Sequence, residues 1–491
     1  MRLRAHARRW WPALAAVGAA ATGVTVAAPA ALAQGFGLNE IGTCAIARGF
    51  AVTGAPCNDA SSLYWNPGAV SNLPTGVSVY LGSAAIGING SFTTDNTGRA
   101  YNANVPTALP PYVGFTVRTV PRLMLGMAAY VPYGLTSQWN NDFPGRFVSQ
   151  KSAIQDFYIQ PTAAYELIPG RLSVGAGAIF AYSQIELRQS LDFSQSPIPG
   201  AGGATFSALG IQPGTEFARA KVAGNGVGGG YTLGIHLRPI ESISLGARYL
   251  SKVRIEYSRA QANFTTVSAA DSVTFATGNP LGVPNGTSLQ QVVAAQFQPG
   301  GTLQPNQTAS TVITNPAQIQ VGIGFTGIPN ATLSFDYATI QWSAFKSLPV
   351  DFTTQLGVPN TALSTVTLED YHNSSSYRGG LEYRLGGIGG VAARLGYAYE
   401  QAAAPDVSVT PTLPDMDRYV LAGGLGVPLG GRRSGGLGRY MLDLSYSRIE
   451  TRGRRGRSGG RPSEDLTAEQ VNNGFYTLNA NVLSASVRAN F

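Results

Sequence analysis

The chain has 491 residues, 34 Lys and Arg against 26 Asp and Glu, a charged fraction of 12% and a hydrophobic fraction of 44%. Soluble domains carry about 25% charged residues, whereas this chain avoids charge while its mean hydropathy stays at +0.02. The hydrophobic content excludes disorder, and beyond the N-terminus no run approaches the ~20 apolar residues of a membrane helix. A transmembrane β-barrel fits, because its apolar residues alternate with polar ones and average hydropathy stays near zero.

Residues 1–33 read as a secretory signal. Arg2, Arg4, Arg8 and Arg9 form a basic start, Ala13 to Ala28 an apolar core of small residues, and Ala31-Leu32-Ala33 an A-x-A cleavage pattern before Gln34. Removing this segment leaves 30 basic against 26 acidic side chains, so the pI of 9.4 is weak evidence for nucleic acid. General secretion stands ahead of the twin-arginine route suggested by Arg8-Arg9, because a barrel must reach its membrane unfolded.

From residue 76 onward, two-residue periodicity recurs to the end. It predicts fourteen strands, at 76–88, 111–120, 122–132, 153–168, 171–188, 227–238, 242–256, 317–326, 329–342, 375–386, 389–400, 417–427, 438–449 and 481–491. In the last, Leu483, Ala485, Val487, Ala489 and Phe491 share one face, opposite Ser484, Ser486, Arg488 and Asn490. In 242–256, Ile243, Leu245, Ala247, Tyr249, Val253 and Ile255 are expected on the lipid face, with Ser244, Arg248, Lys252 and Arg254 toward the lumen.

Connections alternate between tight turns, such as Val120-Pro121, Ile168-Pro169-Gly170 and Gly387-Ile388-Gly389, and long links at 89–110, 133–152, 189–226, 257–316, 343–374, 401–416 and 450–480. A sandwich has no reason to gather its long loops at one end. An outer-membrane barrel does, with short turns in the periplasm and long loops outside. The expected fold is all-β: a fourteen-stranded antiparallel barrel over 76–491, preceded by a segment, 34–75, too polar to face lipid and read as a plug inside the lumen. A monomer in the outer membrane of a Gram-negative bacterium follows, with the barrel assembly machinery as its partner during biogenesis.

Gly35-Phe36-Gly37-Leu38-Asn39-Glu40, followed by Ala47-Arg48-Gly49-Phe50, Asp59-Ala60 and Asn66-Pro67, resembles the start of mature long-chain fatty acid transporters of the FadL family, which includes toluene and xylene porins. Further matches are Pro132-Tyr133-Gly134-Leu135 through Gly145-Arg146, then Gln341-Trp342-Ser343, and the cluster Tyr399-Glu400-Gln401, Pro405-Asp406, Pro411, Leu413-Pro414-Asp415, Asp417-Arg418-Tyr419. The plug departs from the family's Asn-Pro-Ala at Asn66-Pro67-Gly68. The resemblance implies diffusion of hydrophobic molecules across the outer membrane, by capture on outer loops, a pocket above the plug and lateral exit into the bilayer. Long-chain fatty acids are the first expectation and aromatic hydrocarbons the alternative.

Phe36 sits where the family places an apolar plug residue near ligand, and packing against the wall is the competing reading. Asn66 and Pro67 are expected to fix a turn of the plug. A fatty-acid carboxylate needs a cation, and Arg248, Lys252, Arg254, Arg394 and Arg488 are the expected lumenal candidates. Asp336, Glu382, Glu400 and Asp443 are available to pair with them, which is the plainer reading for any one Arg. Where the family's fifth strand often bears a basic ligand-facing residue, this chain has Gln184.

Cys44 and Cys57 share the plug, and in an oxidising periplasm a disulfide stands ahead of free thiols. Arg452, Arg454, Arg455, Arg457 and Arg461 crowd one outer loop, where a solvated charge run competes with contact to lipopolysaccharide phosphate. The stretch 272–335 has no charged side chain, and its loop portion reads equally as a packed or substrate-facing cap or as a variable surface loop. An outer-membrane lipid hydrolase is the competing enzyme class. His236 and His372 are the histidines left after the signal, and neither has a nucleophile elbow. No metal-ligand spacing or phosphate loop appears, and no cofactor or nucleic acid is implied.

Overall fold

The alternation of apolar and polar residues is realised as a closed antiparallel barrel of fourteen strands. The computed structural model describes residues 35–73, 76–192, 194, 205–209, 211–267, 272–279, 282–386, 390–429, 440–456 and 473–491. The signal assignment, the Gly387-Ile388-Gly389 turn, and Arg457 and Arg461 lie outside them.

The strands are β1 (Val77–Thr94), β2 (Pro111–Val120), β3 (Leu123–Gln138), β4 (Lys151–Ile168), β5 (Leu172–Leu191), β6 (Ala218–Ile240), β7 in two arms (Ile243–Leu250 and Val253–Thr266), β8 in two arms (Gln307–Asn315 and Gln318–Phe325), β9 (Ala331–Ile340), β10 (Ser374–Leu385), β11 (Val391–Glu400), β12 (Arg418–Leu429), β13 (Tyr440–Thr451) and β14 (Gly474–Asn490). Each pairs with its chain neighbours. The ring closes where β1 meets β14, from Ser78↔Asn490 to Thr94↔Gly474. Closure at this seam leaves neither β1 nor β14 an open edge for another chain to join.

The outward faces carry the exposed apolar residues lipid requires, such as Phe180, Leu233, Phe335, Leu395, Leu421 and Leu483. Tyr231 with Tyr249, Tyr337 with Tyr377 and Tyr399 with Tyr419 pair across neighbouring outward faces, as aromatic residues do at membrane interfaces. Several strands run further toward the long loops than periodicity suggests: β1 to Thr94, β3 to Gln138, and β6 begins at Ala218. Beyond the lipid an outward face no longer has to be apolar, so the pattern fades before the strand ends.

Two strands are interrupted, and the interruption corrects the face assignment of 242–256. Leu250 and Val253 are both buried, on either side of Ser251-Lys252. Strict alternation would put them on opposite faces. A break in the ladder reverses the parity of everything beyond it, so Val253 and Ile255 turn inward while Lys252 and Arg254 turn outward. The matching break in β8 falls at Pro316-Ala317, where proline cannot donate to a ladder.

The leading residues 35–73 lie against the inward faces of the wall and are buried apart from a few positions. They hold two short helices, α1 (Thr43–Ala47) and α2 (Ser62–Trp65), and a 3-10 turn, Pro67–Asn72. The approach to the wall is close enough to require glycine. A β carbon on Gly246 of β7 would lie 1.9 Å from the Thr53 carbonyl oxygen, and one on Gly396 of β11 would lie 2.0 Å from the Gly49 nitrogen. Among the long links, 205–217 and 272–303 share an apolar core of Ile211, Phe217, Phe275, Leu289, Val293 and Leu303, with α3 (Leu289–Val293) begun by a Ser288/Gln291 capping box. This part of the charge-free stretch is therefore packed rather than a loose surface loop.

Candidate functional site

Among the described residues, the ladder between β2 and β3 stops partway up the wall. β2 pairs with β3 only from Val113↔Ala129 to Val120↔Leu123. Beyond it, a bulge at Val131-Pro132 shifts the register of β3 against β4 between Tyr130 and Tyr133. Pro132 supplies no N–H, and such bulges bend the bulged strand. From Tyr130 to Ser137, β3 is buried on both faces.

The edge that β2 leaves is taken by the chain's own start. Leu38 N–H donates to the Pro132 carbonyl and Gly134 N–H to the Phe36 carbonyl, both at 2.8 Å, making an antiparallel bridge between Gly37 and Tyr133. Phe36 is buried, with its ring 4.8 Å from Trp342, 5.6 Å from Phe345 and 6.0 Å from Tyr133. Such edge-to-face contacts add about 0.5–1.5 kcal/mol each beyond area burial.

Carboxylates on the wall and its loops tether this segment. Asp415 accepts Gly35 N–H at 3.1 Å together with Ala403 and Ala404 N–H; burial pushes its carboxyl above the usual carboxylate range against the pull of these donors. Glu400 accepts Asn39 Nδ2 at 2.7 Å and is flanked by Arg378 and Arg418. Asp336 accepts Thr53 N–H at 2.6 Å. Asn66 accepts Gly68 N–H and donates to the carbonyls of Thr53 and Ile235, with Pro67 opening the 3-10 turn. Cys44 and Cys57 are bonded, with S–S 2.03 Å, and closing a loop of this length stabilises by about 3 kcal/mol in the chain-entropy model.

The cations expected in the lumen separate into three groups. Arg394 ion-pairs with Glu382 and Asp443, and Arg488 donates to the Asn58 carbonyl; both line a polar cavity of about 580 Å³ at the short-turn end, beneath the leading segment. Lys252 and Arg254 face outward, Arg254 paired with Glu256 at 3.0 Å, so neither is lumenal. Arg248 is inward and 2% exposed. Its guanidinium lies 4.0 Å over the Tyr64 ring and 3.4 Å from Gln318 Oε1, it makes no ion pair among the described residues, and its Nε and Nη1 have no partner. Gln184 is also misassigned. Odd-numbered Ile179, Ala181, Ser183 and Ile185 of β5 are buried, whereas Phe180, Tyr182 and Gln184 face outward.

The histidines have structural contacts. His236 Nδ1 lies 3.0 Å from Asn72 Nδ2, and exposed His372 Nδ1 lies 2.8 Å from the Asp370 carbonyl oxygen. In the Arg-rich loop, Arg454 pairs with Asp406 and Arg455 with Asp95.

At the long-loop end a pocket of about 130 Å³ is lined by Leu187, Val222, Phe264, Leu348 and Phe352, with Lys151 and Arg188 at its border. None of these was singled out in the sequence, because the pocket needs the hairpin that Ser347–Thr353 forms with Thr365–Leu368, brought over β4–β7 from far along the chain. The aromatic cluster around Phe36 left a trace, in the motif matches at Tyr133 and Trp342.

A family model described as outer membrane protein transport protein (OMPP1/FadL/TodX) matches residues 24–491. The long-chain fatty acid transport protein of Escherichia coli strain K12 is 24% identical over 427 residues, covering 83% of this chain and 87% of the relative. A 47 kDa outer membrane protein of Pasteurella multocida is 24% identical over 403 residues, covering 81% and 84%. Among solved structures, a Pseudomonas aeruginosa FadL homologue superposes with a TM-score of 0.73 at 19% identity, covering 93% of this chain and all of that one. The Ralstonia pickettii toluene transporter TbuX does so at 0.61 and 18%, covering 93% and 99%.

Proposed function

The chain belongs to the OMPP1/FadL/TodX family of outer membrane transport proteins, and from that premise we propose that its substrate is a long-chain fatty acid. It is an outer-membrane barrel that transports hydrophobic compounds. The observation that carries the finer reading is Arg248, a buried cation with two guanidinium nitrogens, Nε and Nη1, unpartnered and no carboxylate against it among the described residues. Burying a charge is costly unless it is paired, and an arriving carboxylate supplies the missing acceptor. A hydrocarbon supplies none.

The proposed path has three stages. The tail enters the apolar pocket over β4–β7 while Lys151 and Arg188 attract the headgroup. It then passes inward to the aromatic cluster of Phe36, Tyr133, Trp342 and Phe345. Residues 35–73 act as the plug, and release of Phe36–Leu38 from the β3 edge opens the interrupted wall to the bilayer. Exit through the side follows the solute's own preference, because each CH₂ leaving water gains about 0.8 kcal/mol. The cavity beneath the plug borders Arg48, Asp59, Glu382, Arg394, Asp443 and Arg488 and offers no such gain.

Aromatic hydrocarbon uptake is the second reading, favoured by the rings around Phe36. The two are separated by radiolabelled oleate and toluene uptake in a strain carrying this gene as its one family member. Oleate uptake that Arg248→Gln lowers while toluene entry stays unchanged supports the first. Toluene uptake without oleate uptake overturns it.

A further inference from the structure

The outer surface of β3–β7, on the outward side of the wall, holds a basic groove that shares Lys151 and Arg188 with the proposed entry pocket but extends past it over Arg219, Lys221 and Asn263. One register row runs across it: Gln138↔Lys151, Lys151↔Arg188, Arg188↔Lys221 and Lys221↔Asn263. Residues in register share a face, and this face is the outward one, because Arg188 follows Phe180, Tyr182 and Gln184 at two-residue steps on β5. Together with Asn140 and Asn141 of the next link, the row encloses about 590 Å³.

Three cations lie directly opposite one another in this row, an arrangement that destabilises a sheet unless counter-charge is present. Arg219 adds a fourth, and no acid lines the groove. Nearby Glu186 is shared between Lys151 and Arg188, and Glu216 between Arg146 and Arg219. Lys221 is exposed and has no ion pair among the described residues. Five cations therefore face two carboxylates.

The height of the groove identifies the anion. Arg188 lies six residues beyond the exposed Tyr182 on the outward face of β5, which at about 3.3 Å per residue and a tilt near 45° places the row ~14 Å further toward the long-loop end than Tyr182. That layer is filled by headgroups of the outer leaflet. On the same outward face, Lys252 and Arg254 lie lower, where Arg254 pairs in register with Gly229 two residues from Tyr231. Basic side chains thus run from the lipid boundary up to the groove, and the Arg fork matches phosphate bidentately.

We infer that this groove binds the phosphate groups of an anionic glycolipid of the outer leaflet, holding one lipid molecule against β4–β7. The site differs from the Arg-rich loop after β13, where Arg454 and Arg455 are already paired with acids. It does not depend on which substrate the barrel carries. Lys151 and Arg188 border the apolar pocket as well, so the test is confined to Arg219 and Lys221.

Bis-phosphorylated lipid A is titrated into the detergent-purified full-length protein and followed by native mass spectrometry. Lys221→Glu with Arg219→Glu is expected to weaken binding about tenfold, the loss of two charge-assisted contacts, and monophosphoryl lipid A to bind less tightly to the wild type. Heat-modifiable mobility reports whether the variant barrel is folded. Should the double variant not fold, Lys221→Gln alone is expected to lower affinity about threefold, with Lys221→Arg restoring it. Oleate uptake is expected to remain at the wild-type rate. Equal lipid A affinity in wild type and a folded variant overturns the inference. So does displacement of lipid A by millimolar inorganic phosphate, which would mark a free-anion site.

Discussion

Two seams of the same cylinder obey different rules. Between β1 and β14 every residue from Ser78 to Thr94 has a partner, while β2 and β3 pair only from Val113↔Ala129 to Val120↔Leu123. Both seams sit in a membrane that gives unpaired backbone no water to bond. The first meets that demand with the barrel itself. The second meets it with the chain's own start, whose Phe36–Leu38 bonds the β3 edge. A wall that is complete only while a separate segment is docked has a built-in place to open, whereas the β1–β14 seam could open only by breaking the ring.

The largest effect expected from this contrast comes from removing the segment that guards the weak seam. Deletion of 34–75 is expected to change a closed protein into an ion-conducting pore in planar bilayers, because the polar inward groups it now covers become the channel lining. Conductance unchanged from the full chain would mean that the segment does not stopper the lumen.

The next test locks the weak seam. Gly37 and Tyr133 face each other in an antiparallel pair whose flanking residues make the hydrogen bonds, a geometry with Cα atoms about 4.5 Å apart and within disulfide reach. The Gly37→Cys/Tyr133→Cys variant is expected to lose oleate uptake about tenfold when oxidised and to recover it on reduction, with each single variant as control. Equal uptake in both redox states would move the exit elsewhere.

Arg248→Gln is expected to raise the half-saturating oleate concentration about tenfold, the worth of one charge-assisted hydrogen bond, and to leave the maximal rate nearly unchanged. An unaltered half-saturation would reduce Arg248 to a partner of Tyr64. The smallest effect is expected from Cys44→Ser with Cys57→Ser. It lowers the stability of the docked segment by at most ~3 kcal/mol, seen as faster hydrogen exchange over 35–73 with the β1–β14 seam unchanged.

Much of this was legible along the chain. β2 was placed at its observed ends, and β5, β9, β10, β12 and β13 within a few residues, because lipid enforces an apolar outward face wherever it touches. Where lipid stops, so does the signal: the periodicity does not reach the upper ends of β1, β3, β6 and β14, and of the basic row Arg188 falls at the last position of its expected strand, while Lys151 and Lys221 fall outside theirs. The face errors have a related cause. Lys252 and Arg254 follow a two-residue break that resets the parity of β7, and Gln184 follows from a register counted with no fixed reference.

The sequence by itself determined that this is a barrel, how many times it crosses, and that the residues just before the first strand belong elsewhere than in the wall. Those are consequences of period, length and polarity, which any stretch of chain carries within itself. The tertiary structure alone decided which seam is left to the leading segment, that Arg248 has no acid against it among the described residues and where the cations gather on the outside. Each depends on residues tens to hundreds of positions apart being brought side by side. Charge compensation and strand pairing are properties of neighbours in space, and no local pattern records them.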